Sequence, residues 1–444
     1  MHLLQFTPGA GAMYCGGCLR DNALVAALRK LGHQVLMVPL YLPLTLDEED
    51  QSAGTPLFFG GISVYLEQKS PLFRGAPGWL HDLFASRHLL QWAAGKAAKT
   101  RAADLGELTL SMLRGEAGNQ ARELEALIAW LKTQPKPDVL CLSNALLIGM
   151  ARRLKTELRV PVACALQGED FFLDALPESH RAACWQALAE RATEVDLFIA
   201  PSRYFGNLMR ERLGLPADRV RVVHNGINLD GYQAEVQSPK SKVQSAGVPI
   251  LGFFARMCRE KGLDTLVEAY IVLRQRGRVG NLKLRVGGSC GPADGAFVDS
   301  LRARLRASGL LGDVEFHPNL DHASKLAMLR SLSVFSVPAL YGEAFGLYVI
   351  EALAAGVPVV QPRTAAVPEL IEATGGGVLC APGNAQALAE AIEALLLDHA
   401  RARALGEAGR RAVTERFSAE AMAQATLQLY GELAGGIRLK QLHG

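Results

Sequence analysis

The sequence predicts an α/β protein of two domains, each built around a parallel β-sheet. Apolar runs of strand length alternate with helical patterns through most of the chain, which is the order typical of parallel α/β folds. The length of 444 residues is too great for one ordinary core and favours two or three domains. A polar stretch at 230–247, rich in Gln, Ser and Lys, separates two such alternations and is predicted to be a linker.

The first alternation opens with a βαβ pattern. Residues 3–7 form the predicted first strand, 8–17 a glycine loop, and 19–31 a helix that ends at Gly32. We assign residues 1–229 to an N-terminal domain whose later strands are expected at 34–38, 139–142, 160–165, 197–200 and 220–223.

Residues 40–135 interrupt this pattern and predict a helical insertion in the first domain. One part of the insertion combines large apolar side chains with lysines, as in helices that lie on a membrane surface. Packing against the first domain would explain the same residues, and the sequence leaves both interpretations open. The residues are Trp79, Leu80, Leu83, Phe84, Leu89, Leu90, Trp92, Lys96 and Lys99.

A second alternation follows the linker and defines a C-terminal domain at 248–417. Helices are predicted at 263–276 and 323–332, and residues 418–444 contain a final capped helix over 418–433. The expected strands are 250–254, 282–286, 314–317, 334–337, 359–360 and 377–379.

Composition and charge disfavour nucleic-acid-binding, secreted and membrane-spanning proteins. The chain is 49% hydrophobic and 20% charged with a net charge of +3, and it has no long Lys/Arg tract that could neutralise a nucleic-acid backbone. Its first residues lack the basic start and cleavage site of a signal peptide, and no apolar run reaches the roughly 18 to 20 residues of a membrane span. We therefore expect a cytoplasmic protein that does not bind nucleic acid as its main partner.

Neither a metal nor a redox cofactor is expected. Cys15 and Cys18 form a Cys-x-x-Cys pair, which can be redox-active or half of a zinc site, but no second such pair or His pair completes a zinc set. These thiols are better explained as neighbours of a glycine loop. The chain also has no Asp-x-Asp pair, so we predict no catalytic divalent metal.

Two carboxylates eight positions apart are the strongest functional signal. Gly346 is followed by a helix-forming stretch, so backbone N–H groups and the positive end of the helix dipole should face the preceding loop and form an anion site. Glu343 lies in that loop and Glu351 in the helix, a spacing that suits a nucleotide sugar with its hexose, diphosphate and ribose. The alternative is a solvated surface helix that carries two acids.

Two further segments have the chemistry of a diphosphate site. Arg256 and Lys261 follow a predicted strand and precede a helix, where they could bind a diphosphate and offset the charge of a leaving group. Gly16 and Gly17 stand between the first strand and helix, where the chain could pass close to a ligand. A nicotinamide site is disfavoured because Tyr14 breaks the glycine pattern and no acid for a ribose follows the second strand.

The run from Glu343 to Glu351, with Gly356 and Pro358 closing it, resembles the Glu-x7-Glu signature of retaining family-4 glycosyltransferases of the GT-B type. The segment that holds Arg256 and Lys261 resembles the Gly-Arg to Glu-Lys-Gly segment of the same family. This resemblance implies a GT-B fold, with two Rossmann-like domains whose parallel sheets face a deep interdomain cleft.

The resemblance also assigns donor contacts. Glu343 would contact the donor sugar, Glu351 the ribose hydroxyls, and Arg256 and Lys261 the diphosphate, with Glu343, Arg256 and Lys261 as the catalytic residues. Loop amides would bind sugar or phosphate oxygens, and a Gly-Gly loop would close over the donor from the first domain. These backbone contacts are Ala344, Phe345, Gly346, Leu347, Gly16 and Gly17.

The sequence gives weaker signals for acceptor contacts than for donor contacts. Many family members carry a His after the strand predicted at 160–165, and this chain has Gln167 there. Gln167 and Asp170 are therefore candidate acceptor residues, as is Glu169, although the acids could instead cap the next helix. The segment 224–228 resembles a Pro-Asn-Gly-Ile/Val-Asp segment of the family, and its Asn-Gly pair is also an ordinary turn signal.

Together, the resemblance implies a transferase that moves a hexose from a nucleotide diphosphate sugar to a carbohydrate or lipid-linked acceptor with retention of anomeric configuration. The expected donor carries uridine or guanosine diphosphate, and no cofactor is needed. Work at the inner face of the membrane, through a peripheral contact, is compatible with this function. A GT-B sugar-nucleotide epimerase and a non-catalytic GT-B binding protein remain alternatives.

Overall fold

The computed structural model describes residues 1–9, 16–44, 48–59, 102–232 and 248–442. The chain divides into two compact units, the first formed by Met1–His224 with Met422–Gly444 and the second by Asn225–Ala421. Among the described residues, each unit contains one six-stranded sheet, and all strand pairs in both sheets are parallel. The predicted α/β class with two parallel sheets is thus confirmed.

The sheet of the first unit has the strand order β2-β1-β3-β4-β5-β6. Strands β3, β4 and β5 are buried along their whole length, as expected of central parallel strands covered on both faces. The strands are β1 (His2–Thr7), β2 (Gln34–Pro39), β3 (Val139–Leu142), β4 (Val162–Ala165), β5 (Leu197–Ala200) and β6 (Val220–Val222).

Helices of the first unit connect these strands. They are α1 (Gly16–Lys30), α2 (Ala102–Arg114), α3 (Ala121–Leu131), α4 (Ala151–Leu158), α5 (Glu169–Asp174), α6 (Glu178–Ala192) and α7 (Arg203–Leu213). Helix α1 begins at Gly16, earlier than the sequence predicted, so Gly16 and Gly17 form the first turn of a helix instead of the end of a loop.

The sheet of the second unit has the order β12-β11-β10-β7-β8-β9. Its strands are β7 (Ile250–Phe254), β8 (Lys283–Gly288), β9 (Val314–Pro318), β10 (Val334–Phe335), β11 (Val359–Pro362) and β12 (Gly377–Cys380). The helices are α8 (Leu263–Arg276), α9 (Gly295–Ala307), α10 (His322–Arg330), α11 (Leu347–Ala354), α12 (Val367–Thr374), α13 (Ala385–Leu397) and α14 (His399–Arg416).

The final helix, α15 (Ala419–Leu442), starts in the second unit and continues in the first. Ser418 caps it, since its hydroxyl accepts the Ala421 N–H at 3.1 Å. The segment before α15 also forms a parallel bridge between Ser418 and Ile227. A Cβ on Gly226 would lie 2.2 Å from the Ser418 carbonyl oxygen, so the Asn-Gly segment is fixed here by close backbone packing.

The order of strands reverses once in each sheet, at β1 in the first unit and at β7 in the second. In open parallel sheets, ligands bind beyond the carboxyl ends of strands at such a switch point. Arg256 follows β7, and the loop that holds Glu343 follows the neighbouring strand β10. The fold therefore brings the two predicted donor segments to the same edge of the second sheet.

Several predicted features lie outside the described residues. Cys15, the apolar run from Trp79 to Trp92 and most of the linker, 233–247, belong to this group, so the membrane contact and the linker bounds stay predictions. Across the ranges that the structure does describe, no helix combines the length and apolar character needed to span a bilayer.

Candidate functional site

A glycine with a positive φ angle begins helix α11 and separates the two predicted acids. Gly346 has φ 98°, a left-handed conformation that glycine adopts with little strain. Glu343 precedes this glycine, Glu351 lies in the second turn of α11, and both side chains are buried. The first-turn N–H groups of α11 supply the predicted positive helix end. Neither acid lies on a solvated surface helix.

A second glycine brings Lys261 next to Glu343. Gly262 has φ 71° and begins helix α8, and a Cβ on it would lie only 1.9 Å from the Pro338 carbonyl oxygen. The Leu340 N–H also donates to the Glu260 carbonyl at 2.9 Å. The turn that carries Lys261 is therefore packed directly against the segment that leads from β10 to Glu343.

The Lys261 ammonium donates hydrogen bonds to Glu343 Oε1 and to the Tyr341 hydroxyl. Its Nζ also lies 4.8 Å from the centre of the Tyr341 ring and 5.3 Å from that of Tyr348, within range of cation–π attraction. Burial, and then the negative charge of Glu343, raise the pKa of both phenols, so they stay protonated at neutral pH. A cation is thus held between one carboxylate and two neutral rings.

Arg256 has a partner that the sequence did not suggest. Its Nε and Nη2 donate to Asp294 Oδ2 and Oδ1 at 3.1 and 2.9 Å, and the side chain remains 58% exposed. Asp294 is buried, and it also accepts the Gly291 N–H at 3.1 Å. The hydrogen bond to Asp294 raises the pKa of Arg256. The pair orients the guanidinium and uses one edge of it, which leaves its other N–H groups directed away from Asp294.

Glu351 also has unpredicted partners. Its Oε1 accepts hydrogen bonds from Lys325 Nζ at 3.0 Å and from the Tyr232 hydroxyl at 3.3 Å, and all three side chains are buried. Lys325 lies on the same face of α10 as the buried residues Met328 and Leu329, at helical spacing. That position in an apolar stripe was the signal that could have marked Lys325 as a buried, paired cation.

Helix α11 links these clusters. Tyr348 contacts the Lys261 ammonium, and Glu351 stands three positions later, on the same face of the helix. The structure therefore brings Lys261, Glu343 and Glu351 to neighbouring positions around one short helix. Arg256 follows the adjacent strand β7 and pairs with Asp294.

In the first unit, the candidate acceptor residues follow strand β4. The amide nitrogen Nε2 of Gln167 and Oδ1 of Asp170 are buried, and neither has a hydrogen-bond partner among the described residues. Buried polar atoms normally have partners, so these two are candidates for a ligand contact. Burial raises the pKa of Asp170.

Glu169 has a different role from that of its neighbours. Its buried carboxylate accepts the backbone N–H groups of Ala145, Gln167 and Gly168 at 2.8, 3.0 and 3.1 Å. Burial raises the pKa of Glu169, although these backbone bonds oppose the shift. This carboxylate binds backbone amides of the loop after β4 and of the segment after β3.

Sequence reasoning also missed a buried charged pair in α1. Arg20 Nη1 lies 3.0 Å from Asp21 Oδ1, and Ser143, which follows β3, donates to the other Asp21 oxygen. Burial raises the pKa of Asp21 despite the opposing charge of Arg20. Gly16 and Gly17 lie at the start of the same helix. Within the described part of the chain, no three His, Cys, Asp or Glu residues form a group that could hold a metal ion.

Two family models match the chain in succession. Residues 106–230 match the model for Glycosyltransferase Family 4, and residues 237–412 match that for Glycosyl transferases group 1, so together they span most of the chain. The chain belongs to the group 1 glycosyltransferases. The resemblance inferred from the Glu-x7-Glu run is thereby confirmed at the level of the family.

Two curated proteins match this chain over part of their length. The chain is 30% identical over 248 residues to glycogen synthase of Mycobacterium tuberculosis, covering 56% of this chain and 57% of that protein. It is 28% identical over 262 residues to D-inositol 3-phosphate glycosyltransferase of Corynebacterium jeikeium, covering 58% and 61%. The matched region thus spans less than two thirds of either relative.

Solved structures resemble this group 1 glycosyltransferase over nearly all of its length. Sucrose-phosphate synthase from Thermosynechococcus elongatus superposes with a TM-score of 0.71 at 22% identity, over 98% of this chain and 99% of that one. Anabaena HepE in complex with UDP-glucose gives a TM-score of 0.65 at 17% identity, over 98% and 100%. At these identities the likeness establishes the fold, which is GT-B as predicted.

Proposed function

We propose that this protein transfers a hexose from a nucleotide diphosphate sugar to an acceptor hydroxyl. The observation that carries the proposal is the contact between Lys261 and Glu343 at the start of α11, where a cation, a carboxylate and helix N–H groups converge. A diphosphate needs the cation and the N–H groups, and a hexose hydroxyl needs an acceptor such as the carboxylate.

Each residue then has a chemical role. Lys261 and Arg256 bind the diphosphate and offset the charge that grows on it as the bond to the anomeric carbon breaks. Glu343 orients the hexose, and the amides of Ala344, Phe345, Gly346 and Leu347 bind sugar or phosphate oxygens. Glu351 binds the ribose hydroxyls. Gly16 and Gly17, in the first turn of α1, remain predicted donor contacts.

Binding requires that Lys261 exchange one partner for another. In the structure its charge is matched by Glu343. When a diphosphate arrives, the ammonium can bind phosphate oxygens while Glu343 accepts a sugar hydroxyl. The pair therefore keeps both charges compensated before the donor binds, when an unpaired and half-buried charge would be unfavourable.

We further propose retention at the anomeric carbon. The acceptor oxygen bonds to the face from which the diphosphate departs, and the acceptor proton passes to the departing phosphate oxygen. The match of residues 106–230 to the family-4 model supports this stereochemistry. Uridine diphosphate and guanosine diphosphate are the proposed leaving groups, and a HepE structure that contains UDP-glucose has the same fold as this chain.

The acceptor is proposed to be a carbohydrate or a lipid-linked sugar that contacts Gln167 and Asp170. Their unpartnered buried atoms support this placement. Action in the cytoplasm, with a peripheral contact at the inner face of the membrane, completes the proposal.

A donor panel tests the function. Purified protein is mixed with UDP- and GDP-hexoses, and free nucleotide is followed with and without a series of sugar acceptors. We expect nucleotide release that depends on an acceptor and is lost in Glu343→Gln. Interconversion of the donor without acceptor would indicate an epimerase, and donor binding without turnover under any condition would indicate a binding protein.

A further inference from the structure

We infer that Lys325, assisted by Tyr232, is a positioning residue that sets Glu351 to select ribonucleotides over 2′-deoxyribonucleotides. The inference rests on the proposed function, because it assumes that Glu351 meets the ribose of a nucleotide diphosphate. It adds a selectivity and two residues that no sequence motif marked.

The contacts favour one oxygen of Glu351. Lys325 and Tyr232 both donate to Oε1, at 3.0 and 3.3 Å, whereas Oε2 makes no hydrogen bond with the described residues. A carboxylate held in this way keeps one oxygen fixed by the protein and presents the other to a ligand. Hydrogen bonds from hydroxyls to an ionised carboxylate are short and strong, so the 2′- and 3′-hydroxyls of a ribose are suitable partners.

Burial of the Lys325 ammonium is energetically unfavourable, and this favours a functional role for its pairing with Glu351. The side chains of the pair are 6% and 11% exposed, so both charges have lost most of their hydration. Leu326, Met328 and Leu329 are buried beside Lys325 in α10, so the neighbours of this lysine on its own helix are apolar. With Lys325, however, the opposite charge compensates the buried charge of Glu351, and the hydrogen bond to Oε1 fixes the orientation of the carboxylate.

A purely structural pair is the competing explanation, and substrate discrimination separates the two. A structural pair affects stability and the affinity for every nucleotide alike. A positioning pair affects the ratio of affinities for the ribo and 2′-deoxy forms, because only the ribo form has a 2′-hydroxyl that can donate to Glu351, whereas both forms keep the 3′-hydroxyl.

The test measures dissociation constants for UDP, 2′-deoxy-UDP, GDP and 2′-deoxy-GDP by titration calorimetry. The parent is expected to prefer the ribo form by roughly ten-fold or more, as for a hydrogen bond to a charged group. Lys325→Met should reduce this ratio to about two-fold or less, with a smaller change in affinity for the deoxy form. Tyr232→Phe removes only a hydroxyl and should lower the ratio in the same direction by a smaller factor.

Lys155→Met is the control for the loss of an acid-paired lysine, at a more exposed site. Lys155 also pairs with an acid, Asp196, but in the first unit, so its loss should leave the ratio unchanged. Circular dichroism shows whether each variant is folded. If Lys325→Met does not fold, the ratio of affinities for the ribo and deoxy forms in Tyr232→Phe tests the inference.

The outcomes distinguish a failure of this inference from a failure of the proposed function. A parent that binds no nucleotide diphosphate overturns the proposed function. A parent that binds the ribo and deoxy forms equally, or a ratio that persists in the folded variants, overturns the inference alone.

Discussion

Replacing Gly262 by Ala should distort the turn that carries Lys261. The residue has φ 71°, and a left-handed conformation costs a non-glycine residue roughly 1–2 kcal/mol. The new Cβ would also lie 1.9 Å from the Pro338 carbonyl oxygen and 2.6 Å from its carbon, so the backbone must move. Overpacking of this kind costs roughly 1–3 kcal/mol more. We therefore expect Gly262→Ala to lower the free energy of unfolding by about 2–5 kcal/mol.

Gly277→Ala is a control at the other end of the same helix. Gly277 has φ 65°, but nothing lies within 4 Å of the position that its Cβ would occupy. Only the cost of the left-handed conformation remains, about 1–2 kcal/mol. Alanine also reduces the conformational entropy of the unfolded chain, which offsets part of this cost.

Urea unfolding and nucleotide binding are the assays for this pair. The difference between the two variants isolates the clash with Pro338. Because that clash displaces Lys261, Gly262→Ala should also weaken nucleotide diphosphate binding by ten-fold or more, about 1.4 kcal/mol, and Gly277→Ala should not. Equal destabilisation by the two variants, or parental nucleotide affinity in Gly262→Ala, would refute this reasoning.

Three further predictions concern ion pairs and the acceptor side. Asp294→Asn removes the charge that orients Arg256, so calorimetry should show a several-fold loss of nucleotide diphosphate affinity; unchanged affinity would mean that the pair does not prepare Arg256 for phosphate. The hydrogen bond from Arg212 lowers the pKa of Asp174, so this contact stabilises the fold above the ordinary Asp pKa of 3.8 and is lost as the pH falls through the depressed value. The destabilisation caused by Arg212→Met, at most about 1 kcal/mol for so exposed a pair, should therefore be larger at pH 7 than near pH 3, and an equal effect at both contradicts the assignment. Asp170→Asn should raise the KM for the acceptor about ten-fold and leave the KM for the donor and the thermal stability unchanged. An equal rise in the KM for the donor would contradict the assignment of Asp170 to the acceptor site.

Much of the fold could be predicted because its signals are local. Helix α8 (Leu263–Arg276) has the predicted bounds, since Gly262 and Gly277 flank it, each with a positive φ angle. Strands β3, β5 and β7 also begin and end where the apolar runs do. Helix α1 begins at Gly16 and not at the predicted residue 19, because tertiary context overrides glycine's weak helix propensity there.

The candidate site was predictable only in part, because pairing between distant segments leaves no local pattern. The Glu-x7-Glu run and the Arg256–Lys261 segment were recognisable as motifs. Nothing in the sequence joined Arg256 to Asp294 or Glu351 to Lys325, which are 38 and 26 positions apart. Glu169 and Asp170 are adjacent and chemically alike, and only the fold distinguishes the acid that binds backbone amides from the one with an unpartnered oxygen.

The measurement that tests the account most directly is the thermal shift produced by UDP and by GDP in the parent, Lys261→Ala and Lys155→Ala proteins. A ligand at 100 times its dissociation constant stabilises the folded state by about 2.7 kcal/mol. We predict that at least one of the two nucleotides raises the melting temperature of the parent and of Lys155→Ala, and that Lys261→Ala loses most of the gain. An equal gain in Lys261→Ala, or no gain with either nucleotide in the parent, would contradict the claim that Lys261 and Glu343 form a nucleotide-sugar site.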